Sequence, residues 1–286
     1  MVSIVIGLVI LAALSTLFVN QSKIRAELEK SNRMIDNGRY AMELISENLQ
    51  LAGFYDNYAP SGAPTATPDP CSLTTIRTAT TNLNVLLNHV QGYDASDASS
   101  DISAAPCSIS AKTGSDILVL RRASTSSVTA ASVATGFAAG DASVTNTTYL
   151  QVSNCATDSI PSYKIASGST SFTTYHKKNC TSSGTGVGDG PADLRPFLVQ
   201  TYFISPDNVT GDGIPTLKRV ELDHATATFV TTPLVEGIEY MQFDYGLDTT
   251  ADGAPDSYIA APLATDWPNV VSVKINIIAR NLETTR

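Results

Sequence analysis

Residues Met1–Ala52 read MVSIVIGLVILAALSTLFVNQSKIRAELEKSNRMIDNGRYAMELISENLQLA. Met1 to Val19 carry no charge. At about 1.5 Å per helical residue they span roughly 28 Å, close to the thickness of a bilayer core. No Lys or Arg precedes the run, and it is longer than a cleavable signal peptide requires. Asn20–Ala52 holds no proline and one glycine, Gly38. Ile24, Leu28, Ile35, Met42, Ile45, Leu49 and Ala52 recur mostly at steps of three, four or seven, the stripe of an amphipathic helix. Five basic and five acidic residues alternate between Lys23 and Glu47, so the stretch is neutral. Gly53 supplies a helix stop. Read as one piece, Met1–Ala52 is a helix about 78 Å long. No head domain of this size needs such a rod for its core. The expected organisation is residues 1–19 as a hydrophobic transmembrane or filament-core half, 20–53 as an amphipathic half, and 54–286 as a β-rich head.

Working outward, the stretch from Met1 to Tyr55 resembles the N-terminal region of type IV pilins. It resembles most the PilW-type minor pilins, and Asn32–Tyr55 (NRMIDNGRYAMELISENLQLAGFY) is the specific part. Gly213–Leu222 (GIPTLKRVEL), Leu234–Gly246 (LVEGIEYMQFDYG) and Trp267–Arg280 (WPNVVSVKINIIAR) resemble the same family. Residues 54–200 read as family-variable. The resemblance implies an α+β pilin-like fold: a long N-terminal helix packed on an antiparallel sheet, with variable loop insertions. It implies a structural role in starting pilus assembly at the tip, and no enzymatic activity. Implied partners are other minor pilins, the major pilin and a tip adhesin. The implied location is the inner membrane with a periplasmic head, and then the extracellular pilus. The resemblance further implies a basic leader and a G-F-T-L-I-E-type processing motif ahead of Met1, so the chain reads as N-terminally truncated. A type II secretion pseudopilin and a membrane-anchored periplasmic binding protein are the alternative readings.

The whole chain has 286 residues, a prior of about two ordinary domains. It carries 18 Lys+Arg against 27 Asp+Glu, net −9, and the balanced helix leaves that excess wholly to the head. An acidic chain of pI about 4.7 lacks the basic footprint of non-specific nucleic-acid binding. The low charged fraction, with abundant Ser, Thr and Ala, argues against a cytosolic enzyme.

Four cysteines, Cys71, Cys107, Cys155 and Cys180, suit disulfides in an exported chain. Three pairings are open. Nearest-neighbour pairing, Cys71–Cys107 and Cys155–Cys180, is favoured because each pair brackets a loop-like stretch. No C-x-x-C spacing points to zinc.

Pro-rich Ala59–Pro70 and Gly-rich Ser182–Pro191 read as loops. Leu83–Val90 reads as a short helix or strand. Asp116–Arg122, Thr148–Val152 and Ser162–Ile165 read as strands, and Ser124–Ser143 as irregular or edge β. Four further strands are expected: Phe197–Ile204, Thr216–Leu222, Val235–Tyr245 and Val270–Ala279. In the last, Val271, Val273, Ile275 and Ile277 alternate with Ser272, Lys274, Asn276 and Ile278, giving one buried and one mostly polar face. The apolar stripe of the helix is its natural partner.

Asp248, Thr250, Asp252 and Asp256 fall at positions 1, 3, 5 and 9 of a calcium-loop pattern around Gly253. Position 3 is a Thr and position 12, Ile259, supplies no Glu. A D-G turn between strands is the competing reading. Asn208–Thr216 is a weaker loop of the same kind. No cofactor other than this possible Ca²⁺ is expected. His89, His176 and His224 lack metal-ligand spacing and read as surface or loop residues. Gly184–Gly190 lacks the Lys-Ser/Thr of a phosphate loop, and no nucleophile elbow occurs.

Overall fold

A computed structural model describes residues 2–78, 82–95, 107, 109–129, 146–158, 162–168, 172–184, 186–224 and 226–283. The chain forms helix α1 (Val2–Gln50), short helices α2 (Leu73–Arg77) and α3 (Asn82–Leu87), and ten strands. The strands are β1 (Val90–Tyr93), β2 (Ile117–Ala123), β3 (Tyr149–Val152), β4 (Tyr163–Ala166), β5 (Leu194–Ser205), β6 (Thr216–Asp223), β7 (Thr228–Glu236), β8 (Ile238–Leu247), β9 (Ser257–Ile259) and β10 (Val270–Ala279). All strand pairings among the described residues are antiparallel, and the expected α+β class holds.

The single-helix reading of the N-terminus also holds. α1 runs unbroken for 49 residues, about 73 Å. It ends in a turn in which Gly53 takes φ +79° and donates its amide to the Arg121 carbonyl at 3.0 Å. That positive φ is why a glycine stands there.

Seven strands form one sheet. β5 is its spine: one edge pairs β2, and the other pairs β3 first and then β6, which pairs β7. β10, β8 and β9 form a second sheet in that order. The expected strand Val235–Tyr245 is two strands. Gly237 adopts φ +77°, so the chain leaves β7 in the first sheet and starts β8 in the second. An added Cβ there would lie 2.9 Å from the Arg280 carbonyl oxygen. An apolar run reading through Gly237 hides this break.

β2 is buried on both faces, as its unalternating ILVL run requires. Leu118 and Leu120 enter a core shared with Ala41 and Ile45 of α1, with β8, and with Trp267. Val119 and Ala123 enter a second core with Tyr55, Leu86, Leu150 and Phe197. Leu83–Val90 resolves into both alternatives, α3 followed by the start of β1.

The helix stripe needs correction. Ala41 and Ile45 are fully buried, and Leu44 and Leu49 pack beside them. Ile24, Leu28 and Ile35 are exposed, at 60%, 59% and 46%. The head reaches only about as far down α1 as Lys30, so the first three stripe residues project beyond it or away from it. On β10 the expected inner face is met by Val273, Ile275 and Ile277, which pack on the core. Val271 is exposed because a bulge between Val270 and Ser272 shifts the register.

Beyond residue 129, the Ser124–Ser143 reading lies outside the described residues until 146. Before that gap, Val128 forms an isolated bridge to Leu194.

Candidate functional site

The largest chemical feature is the bare half of α1. Val2, Ile4, Leu8, Leu11 and Phe18 are each more than half exposed. The segment is long and apolar enough to cross a membrane. Two of its three hydroxyls are tied down: Ser15 Oγ donates to the Leu11 carbonyl at 2.8 Å, and Thr16 Oγ1 to Ala13 at 2.8 Å, while Ser3 lies in the first turn. Such back-bonding satisfies the hydroxyls that lie deepest in the apolar run. Gly7 faces open space, so another helix could approach closely there.

Where the charged half begins, polar contacts join helix to head. Lys30 Nζ and Arg33 Nη2 reach the two carboxylate oxygens of Glu283 at 3.2 and 3.7 Å. Asn37 Nδ2 donates to the Glu236 carbonyl at 3.0 Å. Glu239 takes Lys112 on one oxygen and Arg280 Nε, at 3.0 Å, on the other. Arg280 also donates to the Gly213 carbonyl. These contacts gather β7, β8 and the segment after β10 at the point where α1 emerges.

Deeper in, two buried charges brace the sheets. Asp116 Oδ1 accepts from the Ala95 amide and Oδ2 from the Phe243 amide, both at 2.9 Å. The carboxylate thus joins the seven-stranded sheet to β8. Burial is the main cause that raises its pKa to about 6; the two amides oppose this, and Asp94 and Asp244 add to it. Arg121 is fully buried and donates to the carbonyls of Asn88 (2.6 Å) and Pro68 (3.1 Å) and to Gln91 Oε1 (2.7 Å). Burial lowers its pKa to about 10. Gln91, Asn88 and Pro68 come from three different segments, so Arg121 is a structural clasp. Nothing in its local sequence, DILVLRRA, marks it as buried.

His89 lies in the bend between α3 and β1 as a partly buried loop residue, with Nε2 3.1 Å from the Val270 carbonyl, and desolvation lowers its pKa. His176 Nδ1 meets Asp158 Oδ1 at 2.8 Å, and His224 stands apart from both.

The cysteines pair as Cys71–Cys107 and Cys155–Cys180, with Cα–Cα distances of 5.0 and 5.1 Å. In the Asp248–Asp256 loop, Asp248 accepts from the amides of Ala251, Asp252 and Gly253. Asp256 Oδ2 accepts from the amides of Thr249 and Thr250. Thr250 Oγ1 also turns to Asp256, and Asp252 Oδ1 accepts from the Ala254 amide. The candidate ligands thus also close the turn itself, as the competing D-G turn reading requires. Asp207 and Asp212 close the 207–214 loop in the same way. Among the described residues no cluster of three or more His, Cys, Asp or Glu could hold a metal. In the Gly-rich loop the Gly186 amide is taken by Asp189, so that donor faces a carboxylate of the chain.

A long helix, bare and apolar for its first half and seated on an antiparallel head for its second, defines a pilin-like architecture. Residues 201–286, from within β5 to the C-terminus, match the family model of PilW, Type IV Pilus-assembly protein W. The match supports a PilW-family protein related to type IV pilus assembly. No curated protein and no solved structure matches the chain.

Proposed function

We propose that the protein is a minor pilin that helps to start assembly of a type IV pilus within a tip complex. The exposed apolar half of α1 carries this reading. In it, residues 2–19 hold the subunit in the inner membrane, with the head in the periplasm. On assembly they exchange lipid for the helices of other minor pilins and the major pilin. The disulfides suit an oxidising compartment outside the cytoplasm. The head then meets neighbouring minor pilins and a tip adhesin. The role is structural and includes no catalytic step and no cofactor.

Deletion of the chromosomal copy in the source bacterium tests this. Surface piliation is expected to fall sharply and to return with the full chain. Normal piliation without the protein overturns the reading. Adding Ca²⁺ and then a chelator to the full chain in detergent is expected to leave its unfolding midpoint unchanged. A reproducible rise that Asp248→Ala abolishes would put calcium in the loop.

A further inference from the structure

We infer that the free edge of β10 is a docking site for one extended strand supplied by a different polypeptide chain. The inference rests on the proposed function for the place where that partner is sought and for the membrane-held α1 that excludes an antiparallel pair of copies.

An edge strand presents a row of unpaired N–H and C=O groups, and proteins normally blunt such edges. The other edges here are blunted. β1 and β4 have four residues each and β9 has three. β7 has nine, but Pro233 removes a donor and a register shift lies opposite it, between Leu217 and Lys218. β10 has ten residues, no proline, and register shifts only near its two ends. It pairs β8 on one side and no strand on the other among the described residues. Beyond β8, among the described residues, β10 main-chain groups are met at the strand's first residue, where the Val270 amide donates to the Trp267 carbonyl and His89 Nε2 meets the Val270 carbonyl.

The side chains also suit an incoming strand. Val273, Ile275 and Ile277 are covered only in part, so the apolar layer stops short at this edge. A strand with apolar residues at alternate positions would extend that layer while its main chain completes the ladder. Its polar residues would stand beside Lys274 and Asn276, which are exposed.

The symmetric pairing of two copies does not fit. α1 runs antiparallel to β10: Gly38 lies against Ala279, and Leu49 and Gln50 line one cavity with Val270–Val273. Joining two β10 strands antiparallel would therefore set the two α1 helices antiparallel. Their apolar halves would then point in opposite directions and could not share one membrane. The occupant is a strand from a different chain.

Proline scanning of β10 in the full chain tests this, because alternate amides point to β8 and to the free edge. Lys274→Pro and Ile275→Pro differ in that parity. One of them is expected to break the β8 ladder and unfold the head. The other is expected to keep its disulfides and to unfold near the wild-type midpoint where it is Lys274→Pro, or with the midpoint of Ile275→Ala where it is Ile275→Pro. Ile275→Ala loses the same core packing but keeps the amide. Recovery in sheared pili should then fall at least about fivefold below wild type or that alanine control, the loss of about one net hydrogen bond. Hydrogen exchange of Val270–Ala279 in pili against the detergent-solubilised chain should show new protection there and none in β7. Equal recovery of the folded variant, or no new protection, overturns the proposal. So does a cross-link from Asn276→Cys that joins two copies of this chain through β10. If wild-type protein is itself absent from sheared pili, the pilus reading fails, and the edge is then tested by exchange in intact membranes against detergent. Absence of new protection there overturns the proposal.

Discussion

The two halves of α1 share one backbone and obey opposite rules. Residues 2–19 expose nearly every apolar side chain and tie the Ser15 and Thr16 hydroxyls to the helix's own carbonyls. Residues from Arg33 onward expose their charges and bury a narrow stripe centred on Ala41 and Ile45. Hydrogen bonding along the helix is the same in both. The difference lies in the solvent each half is built for, so changes in one half should leave the other untouched.

The largest effect is expected in the clasped half. Ile45→Ala leaves a cavity where α1 meets β8 and should cost about 2–5 kcal/mol of head stability, without releasing the protein from membranes. Denaturant unfolding and membrane flotation measure the two outcomes separately. Ile10→Arg is the reciprocal change. It should cost about 3 kcal/mol of insertion and lower the membrane-bound fraction, with the unfolding midpoint unchanged. If either substitution moves both readouts equally, the division of α1 is wrong.

The third effect concerns the sheet on which α1 rests. Asp116 titrates at about 6 in the folded head, above the roughly 3.9 of an unfolded chain. The folded state therefore holds a proton more firmly. Its contribution is fully present below about pH 4 and is lost as pH rises through 6, worth about 3 kcal/mol. The lowered carboxyls of Asp248 and Asp256 act in the opposite sense, because hydrogen bonds from the amide or side chain of their own turns favour the charged form. Their contribution is lost as pH falls below about 4. Head stability should peak between about pH 4 and 6, and Asp116→Asn should flatten the alkaline side of that profile. A wild-type profile that rises steadily from pH 4 to 8 would contradict it. The smallest effect is Glu283→Ala, which removes the ion pairs from a largely exposed carboxylate to part-buried Lys30 and exposed Arg33 and should cost no more than about 1 kcal/mol. A larger loss, measured by denaturant unfolding, would mean that those pairs set the angle at which the helix leaves the head.

Much of this was legible in the sequence. The uncharged run to Val19, the proline-free continuation to Ala52 and Gly53 are local signals, and they delimit α1 closely. Alternation in Val270–Ala279 and the apolar run around Leu118 likewise mark strands from neighbouring residues alone. The calcium-like spacing at Asp248 was legible as a pattern. The same residues equally serve an Asx-type turn, and in the structure their oxygens face loop amides. Resemblance placed the family at both ends of the chain, and the family model covers the C-terminal one.

By itself, then, the sequence determined the long helix, its bare apolar half, the α+β class and an oxidised head. Each depends on periodicity, length or residue type within a short window. Tertiary structure alone decided which face of α1 is covered, that Val235–Tyr245 breaks at Gly237 into two sheets, and that Arg121 and Asp116 are buried. It also decided that β10 keeps a long open edge. These outcomes depend on partners far away in the chain, such as Phe243 for Asp116 and Pro68 for Arg121. Burial and pairing arise between segments, and a residue's own neighbours in sequence do not specify which segment will face it.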